Sequence, residues 1–319
     1  MIRFFVTRGH DYTLQKVRRS PLAPALELTN YDRLFRSRWL KSGTQVFADL
    51  DRLGYWDLEL AADLYRQMKE AGLPVLNNPA RFKNRYSLLR ALHAAGLNDF
   101  DAYRPHEISS LKRFPVFLRK IQGHRQPLSD LLETREQAAG AIDTALAAGV
   151  PEENLVLIEC AAEPVRPGVY RKLAAFRIGN AIVPHLCVHD SVWLVKYGRV
   201  LDSIEDLYQE ERLVLQQNPF AEHLRKVFDV AGVEYGRADF GFLKGRLQVF
   251  EINTNPYVAP AEPHPSAIRV ANMDLAWETY LQALRAIDRR GGRLIRLADG
   301  RLQRGRPWKN LLARTRKVH

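Results

Sequence analysis

The stretch GRADFGFLKGRLQVFEINTNP, Gly236 to Pro256, decides the fold. It holds two apolar runs on either side of Lys244-Gly245, a pair suited to a tight turn. This pattern predicts two antiparallel strands, Tyr235 to Leu243 and Leu247 to Ile252, joined as a hairpin.

The hairpin is expected to bring three oxygen-bearing side chains together. Side chains alternate between the faces of a strand, so Glu251 and Asn253 share one face. Counting back through the turn puts either Asp239 or Phe240 opposite Glu251. Two carboxylates and an amide oxygen would be hard ligands, which suit magnesium bridging nucleotide phosphates. The alternative is a surface hairpin that carries acids by chance, but both acids lie inside apolar runs, where an unpaired charge is costly.

The rest of the chain has the periodicities of a mixed α/β protein. Near the start, two strands (Ile2 to Val6 and Thr44 to Leu50), a helix (Trp56 to Ala71) and a further strand (Leu73 to Leu76) predict a parallel α/β unit. Further on, the predicted helices are Asn84 to Ala95, Arg135 to Ala148, Ser203 to Gln216, Pro219 to Ala231 and Asp274 to Arg289, and the predicted strands are Phe114 to Ile121, Leu155 to Cys160, Arg171 to Ile178 and Ala181 to Leu186.

An acid in a strand, a glycine turn and an E-I-N-x-N-P run are similar to the magnesium-binding end of ATP-grasp enzymes. The resemblance implies ATP and Mg²⁺ as cofactors. It implies Asp239, Glu251 and Asn253 as metal ligands, with Asn255 a further candidate.

The same resemblance implies an ATP-grasp fold of the α/β (α+β) class with a small N-terminal α/β domain. The expected boundaries are 1–79 for that domain and 80–290 for the ATP-grasp domain, whose smaller nucleotide-covering subdomain is about 106–160. Residues 291–319 form a basic extension outside the resemblance.

The nucleotide contacts are also implied by the resemblance. Relatives place a phosphate-binding lysine on a proline-valine strand; in FPVFLRK the matching residue is Arg119, with Lys120 adjacent, and the choice between them stays open. Guanidinium can hold phosphate bidentately, so arginine is chemically suitable. The segment Leu155 to Glu163 resembles the hinge beside adenine, where Glu159 or Glu163 is a candidate for the ribose.

Three further cations are candidates for the reacting groups. Relatives aim a basic residue at the γ-phosphate from the position of Arg171 or Lys172. These two alternate faces, so only one can point into the cleft. Arg237 shares the face of Asp239 and is a candidate for contact with substrate or phosphate.

What the resemblance implies is a carboxylate–amine or carboxylate–thiol ligase acting through an acyl phosphate. Its substrates would be small anionic carboxylates and amines, with a lid over Gln122 to Ser129 and His124, His185 or His264 as a base. A phosphotransferase on the same fold, or a nucleotide-binding module docking through its basic tail, remains the alternative. A homodimer is left open.

Composition bounds the remaining possibilities. The chain has 319 residues, 46% of them hydrophobic, and a formal charge of +12. No apolar run has the roughly 20 residues that a membrane span needs, and no signal peptide is visible, so a cytoplasmic protein is expected. Twelve Lys and Arg lie between residues 285 and 319. Because the basic residues cluster there and no recognised module occurs, nucleic acid is not expected as the partner. The tail is predicted to pack on the body through Trp308.

Overall fold

The computed structural model describes residues 1–123, 126–196, 198–199, 201 and 204–298. Its strands are β1 (Ile2–Val6), β2 (Leu26–Asn30), β3 (Trp39–Lys41), β4 (Thr44–Phe47), β5 (Val75–Leu76), β6 (Ala102–Tyr103), β7 (Val116–Lys120), β8 (Leu155–Glu159), β9 (Pro164–Arg166), β10 (Val169–Ile178), β11 (Ala181–Asp190), β12 (Tyr235–Leu243), β13 (Arg246–Asn253) and β14 (Leu294–Arg296). Its helices are α1 (Gln15–Arg18), α2 (Tyr31–Arg36), α3 (Tyr55–Glu70), α4 (Arg85–Ala94), α5 (Arg135–Ala147), α6 (Glu205–Gln217), α7 (Ala221–Ala231) and α8 (Ala267–Ile287). These elements confirm the predicted mixed α/β class.

The N-terminal sheet is parallel, with strand order β2-β1-β4-β5. The predicted unit β4-α3-β5 is confirmed, whereas β2 and α2 were not predicted. Strand β4 ends at Phe47 and not at Leu50, because Asp49 adopts a left-handed conformation (φ 59°) and starts a tight turn. One face of this sheet packs against α2 and α3 through residues such as Leu34 and Leu64.

A three-stranded antiparallel sheet, β6-β8-β7, follows. Successive side chains of β7 point to opposite faces of this sheet. Val116 and Leu118 pack towards α5, in a cluster with Ile142. Phe117 points the other way and packs against Trp193 with ring centroids 5.0 Å apart. The second face therefore borders the cleft described below.

The largest sheet is antiparallel, with order β11-β10-β12-β13, and β9 adds to β10. Helices α4 and α7 cover one face, through Leu88 and Phe228 among others. On the opposite face, Phe176 and Tyr235 join a core shared with β1 and α8. The N-terminal sheet and the largest sheet are thus packed on one common core.

Asn77 joins these two sheets by its side chain. Its amide nitrogen donates to the carbonyl oxygens of Phe47 (2.9 Å) and Tyr235 (2.8 Å). Its amide oxygen accepts from the backbone N–H groups of Glu234 and Tyr235, each at 2.8 Å. The residue is buried and left-handed (φ 64°), a conformation that asparagine tolerates better than most residues.

Several expectations lie outside the described residues. They include the packing of Trp308, most of the extension 291–319, His124, and part of the predicted lid over Gln122 to Ser129. Among the helices that the structure describes, none is both long and apolar enough to cross a membrane.

Candidate nucleotide and metal site

The register of β12 and β13 fixes the centre of the site. Asp239 lies directly opposite Glu251, and Arg237 lies opposite Asn253. The turn residues Lys244 and Gly245 both have positive φ (50° and 75°), as the two-residue turn of a twisted hairpin requires. Of the two residues that the sequence left open opposite Glu251, the structure therefore selects Asp239. Side chains paired in this way have Cβ atoms about 4.5–5.5 Å apart.

Asp239 is buried between two cations. Arg237 Nε donates to Oδ1 at 2.8 Å, and Lys172 Nζ lies 2.9 Å from Oδ2. Burial alone would raise the pKa of Asp239, but Arg237 and Lys172 outweigh it and hold the pKa below its ordinary value. The carboxylate is therefore ionised at neutral pH and able to attract a cation.

Glu251 is held by two arginines that belong to other parts of the chain. Arg85 Nη2 donates to Oε2 at 3.1 Å, and Arg119 Nη2 lies 3.8 Å from the same oxygen. Arg85 also donates to the carbonyl oxygens of Lys120 (2.6 Å), Ile121 (3.0 Å) and Gly123 (3.1 Å). Sequence reasoning missed Arg85; the only signal for it was the basic start of helix α4.

The donor set fits Mg²⁺. Asp239 and Glu251 supply carboxylate oxygens. The Asn253 amide oxygen accepts from the Asn255 N–H at 2.8 Å, and an amide oxygen has a second lone pair that can face a cation. The Asn255 side chain bonds the N-terminal loop and does not join these oxygen donors. Its side-chain oxygen accepts from Thr13 Oγ1 (2.7 Å) and its nitrogen donates to the His10 carbonyl oxygen (3.0 Å), so its amide holds the N-terminal loop.

Asp239 and Glu251 lie at one end of a cleft of about 810 Å³, part of it open to solvent. Aromatic and aliphatic side chains line the rest of the cleft: Phe100, Phe117, Ile158, Trp193 and Phe250. An apolar slot that ends in cations and carboxylates suits a ligand with one apolar end and one anionic end.

Arg119, and not Lys120, lines this cleft. Strand alternation explains the difference, because Arg119 shares the face of Phe117 whereas Lys120 shares that of Leu118. Burial, and then the neighbouring Arg85, lower the pKa of Arg119 to about 10, so its guanidinium stays charged at neutral pH. The choice that the sequence left open thus falls on Arg119.

The two candidate ribose acids have different surroundings. Glu159 is buried, and its oxygens accept from the Asp101 N–H (3.0 Å) and the Tyr103 hydroxyl (3.1 Å). Glu163 is exposed at the mouth of the cleft and accepts from the Lys244 N–H at 2.6 Å. Both line the cleft, but only Glu163 is accessible to a polar ligand.

The structure also separates Arg171 from Lys172. Lys172 reaches Asp239, as described above, whereas Arg171 Nη1 forms an ion pair with Glu210 of helix α6 at 2.6 Å. Both residues nevertheless line the cleft, Lys172 beside the two carboxylates and Arg171 at its border, so the expectation that only one of them could do so was wrong.

Strand β11 carries two histidines, His185 and His189. No cluster of three or more His, Cys, Asp or Glu side chains with the spacing of a metal site occurs in the described part of the chain. Asp190 accepts from the Ser191 N–H, and His189 packs edge-on against Tyr208. Both residues are buried, so they have packing and hydrogen-bonding roles and do not lie on the surface.

The chain matches no protein-family model and no curated protein. The structure is similar to solved ATP-grasp and D-alanine–D-alanine ligases. For the D-alanine–D-alanine ligase of Bacillus anthracis complexed with ATP, the identity is 11% and the TM-score 0.47, over 89% of this chain and 97% of that one. For D-alanyl-alanine synthetase A of Vibrio cholerae, the identity is 16% and the TM-score 0.49, over 90% of this chain and 97% of that one. For the ATP-grasp ligase PsnB complexed with minimal precursor, the identity is 14% and the TM-score 0.48, over 89% of this chain and 98% of that one.

Proposed function

We propose that the protein is an ATP-grasp enzyme that uses ATP and Mg²⁺ to ligate a carboxylate to an amine or a thiol. The observation that carries the proposal is the cross-strand pair Asp239–Glu251 at the end of an aromatic cleft. Four cations surround these two carboxylates: Arg85, Arg119, Lys172 and Arg237. Such an excess of positive charge suits a polyphosphate, and the carboxylates suit its metal ion.

Each group of the site has a role in this proposal. Phe117 and Trp193 line the base side of the cleft, and Glu163 contacts the sugar. Arg119 and Arg85 bind the inner phosphates by charge-assisted hydrogen bonds, which are stronger than neutral ones. Lys172 binds the transferred phosphoryl group. Mg²⁺, held by Asp239, Glu251 and Asn253, would neutralise charge on the phosphates when bound.

The chemistry is a two-step acyl transfer. A substrate carboxylate oxygen attacks the γ-phosphorus, the bond to the β-phosphate oxygen breaks, and ADP leaves. The nucleophile then forms a bond to the acyl carbon and loses one proton. The bond between that carbon and the phosphate oxygen breaks, and phosphate leaves with the bonding electron pair. Arg237, on the substrate side of Asp239, is placed to stabilise the negative charge that develops on the acyl oxygen.

Hydroxylamine provides a test that does not require the natural nucleophile. A panel of small carboxylic acids is incubated with Mg-ATP and hydroxylamine, which traps an acyl phosphate as a hydroxamate. We expect one class of acids to give hydroxamate and ADP in equal amounts. A stable phosphorylated product without hydroxamate would instead identify a phosphotransferase, and ATP binding with no turnover on any acid would identify a binding module.

Cys160 offers an independent test of the nucleotide site. Its side chain is partly buried and lines the cleft beside Glu159. Bound Mg-ATP should protect this thiol from a methanethiosulfonate reagent, because the nucleotide would cover it. Labelling at an unchanged rate in saturating Mg-ATP would contradict the proposed nucleotide site.

A further inference from the structure

Strands β3 and β14 form a two-stranded antiparallel ribbon at the amino end of the N-terminal sheet. Only Ser42 and Gly43 separate β3 from the start of β4. Because the strands of that sheet are parallel, their amino ends share one edge, and their carboxyl ends share the other. The carboxyl edge is the one that contacts Thr254, next to the metal-type residues. The ribbon therefore lies at the edge of the sheet away from the nucleotide cleft.

One face of the ribbon combines apolar and cationic side chains. Trp39 lies directly opposite Arg296, and Lys41 lies directly opposite Leu294. Directly paired residues project from the same face, so all four share it. All four are exposed, Trp39 by 57% and Leu294 by 59%. We call these four residues the ribbon face.

The ribbon face is fixed in position by the packing behind it. Leu40 and Ile295 alternate with its residues along the two strands and are buried in the cluster that includes α2 and α3. At one end of the ribbon, the Leu297 N–H donates to the Arg38 carbonyl oxygen at 2.9 Å. Trp39 and Leu294 therefore cannot turn into the core without unpacking this cluster.

The charge around the ribbon face is positive. Arg36 and Arg38 precede β3, Arg293 precedes β14, and all three are exposed. Neither these arginines nor the two cations of the ribbon face, Lys41 and Arg296, form an ion pair with any acid in the described part of the chain. Their charges are therefore available to an external anion.

The acids of the adjoining elements do not balance this charge. Glu27 of β2 pairs with Arg3 at 2.6 Å, and Glu70 at the end of α3 pairs with Arg66 at 2.8 Å. In the sequence, residues 299–319 add seven Lys and Arg against one acid. This end of the chain is thus complementary to an anionic surface.

The chemistry of the ribbon face favours a lipid surface among anionic partners. Its cations stand on an open strand surface, whereas small ligands are held in concave sites. Leu294 has no π face on which a nucleic-acid base could stack. Tryptophan is suited to the level of the lipid headgroups, and Lys and Arg to their phosphates. An aliphatic side chain beside the indole suits the acyl region just below.

We propose that the ribbon face docks on a lipid bilayer that contains anionic phospholipids. Trp39 and Leu294 enter the interface, and Lys41 and Arg296 contact the headgroup phosphates. The flanking arginines strengthen the attraction to the anionic surface. The nucleotide cleft, at the other edge of the sheet, stays accessible from water. The inference goes beyond the proposed function and does not depend on it.

Vesicle sedimentation of the full chain tests the proposal. We expect the chain to sediment with vesicles of equal parts phosphatidylcholine and phosphatidylglycerol, and not with phosphatidylcholine alone. The variant Lys41→Gln/Arg296→Gln should bind the mixed vesicles about 25-fold more weakly, since each cation near the surface contributes about fivefold. The matched control Arg225→Gln/Lys226→Gln loses the same charge from exposed positions on α7. It should bind within about threefold of the parent, because charges remote from the bilayer are screened.

Insertion of the apolar pair has its own readout. Brominated acyl chains quench indole fluorescence on contact, so mixed vesicles with brominated lipids should quench a part of the emission that is absent in Trp39→Phe. Leu294→Ser keeps every charge and every tryptophan, and should weaken binding to mixed vesicles by about threefold or more. This variant also tests the apolar contact if Trp39→Phe does not fold.

Several results would overturn the proposal. One is a failure of the full chain to sediment with the mixed vesicles. Another is an equal loss of binding in the two charge variants, which would assign the attraction to net charge alone. Quenching that is the same in the parent and in Trp39→Phe would show that the ribbon face does not meet the bilayer. If polyuridylate displaces the chain from vesicles and no quenching specific to Trp39 is seen, the face binds nucleic acid instead.

Discussion

At the scale of the residue, Arg119 and Lys120 form a matched pair, since they are adjacent cations on opposite faces of β7. Arg119→Met should weaken ATP binding by about 1.5–3 kcal/mol, or roughly 10- to 150-fold in Kd, because it removes a charge-assisted phosphate contact. Lys120→Met should leave Kd almost unchanged. Calorimetric titration with Mg-ATP checks both, and an equal loss in the two variants would show that β7 does not face the nucleotide as assigned.

Glu251 permits an equally conservative test. Glu251→Gln preserves size but removes the charge that a metal ion needs, so Mg-dependent ATP turnover should fall about 10²- to 10³-fold while the fold is retained. Glu70→Gln on helix α3 is the control, since Glu70 is an exposed acid paired only with Arg66. Circular dichroism and ADP formation are the measurements. Activity within twofold of the control would remove Glu251 from the metal site.

At the scale of the element, the loop after β5 contains two adjacent asparagines, Asn77 and Asn78, whose side-chain hydrogen bonds can be removed one residue at a time. Asn77→Ala removes four hydrogen bonds between two sheets and puts alanine in a left-handed conformation, so we expect the free energy of unfolding to fall by about 3 kcal/mol or more. Asn78→Ala removes a single bond, to the Ala80 N–H at 3.0 Å, and should cost about 1 kcal/mol. Urea unfolding of both variants is the comparison. Equal losses would mean that the Asn77 bonds are replaced by solvent.

The elements also show what the sequence can predict. The β12–β13 hairpin was predicted with its turn, because the Lys244-Gly245 pair between alternating apolar runs leaves few registers. Its bulge at Phe250 was not predictable, since it depends on packing across the sheet. Strand β2 was missed because LELTN is short and half polar. Arg85 was missed for a different reason: its partners, Glu251 and Gly123, are remote in sequence.

At the scale of the whole molecule, stability should depend on pH through His189. Burial, then Arg171 and Arg269, lower its pKa from 6.5 to about 4. Between these values the unfolded chain binds a proton that the folded protein does not, so stability falls as pH drops from about 6.5 to about 4. His189→Phe should reduce the loss of folding free energy over this pH range by an amount on the order of 1–3 kcal/mol. The variant His106→Phe, at an exposed histidine, should not reduce it. Thermal unfolding across that pH range is the measurement, and an unchanged slope would contradict the assignment.

The residues that follow Asn253 have a mechanical consequence. Thr254 Oγ1 accepts from the Leu50 N–H at 3.2 Å, and Asn255 is bound to Thr13 and His10. These hydrogen bonds connect the end of strand β13 to the loops at the carboxyl ends of β1 and β4. The N-terminal sheet and the largest sheet also share one hydrophobic core. They should therefore move as a single rigid body. Any opening of the cleft to admit a nucleotide then has to come from the sheet β6-β8-β7. Arg85 contacts the carbonyl oxygens at the end of β7 and also Glu251 on β13. Such a movement would therefore break the contacts of Arg85 on one side of the cleft.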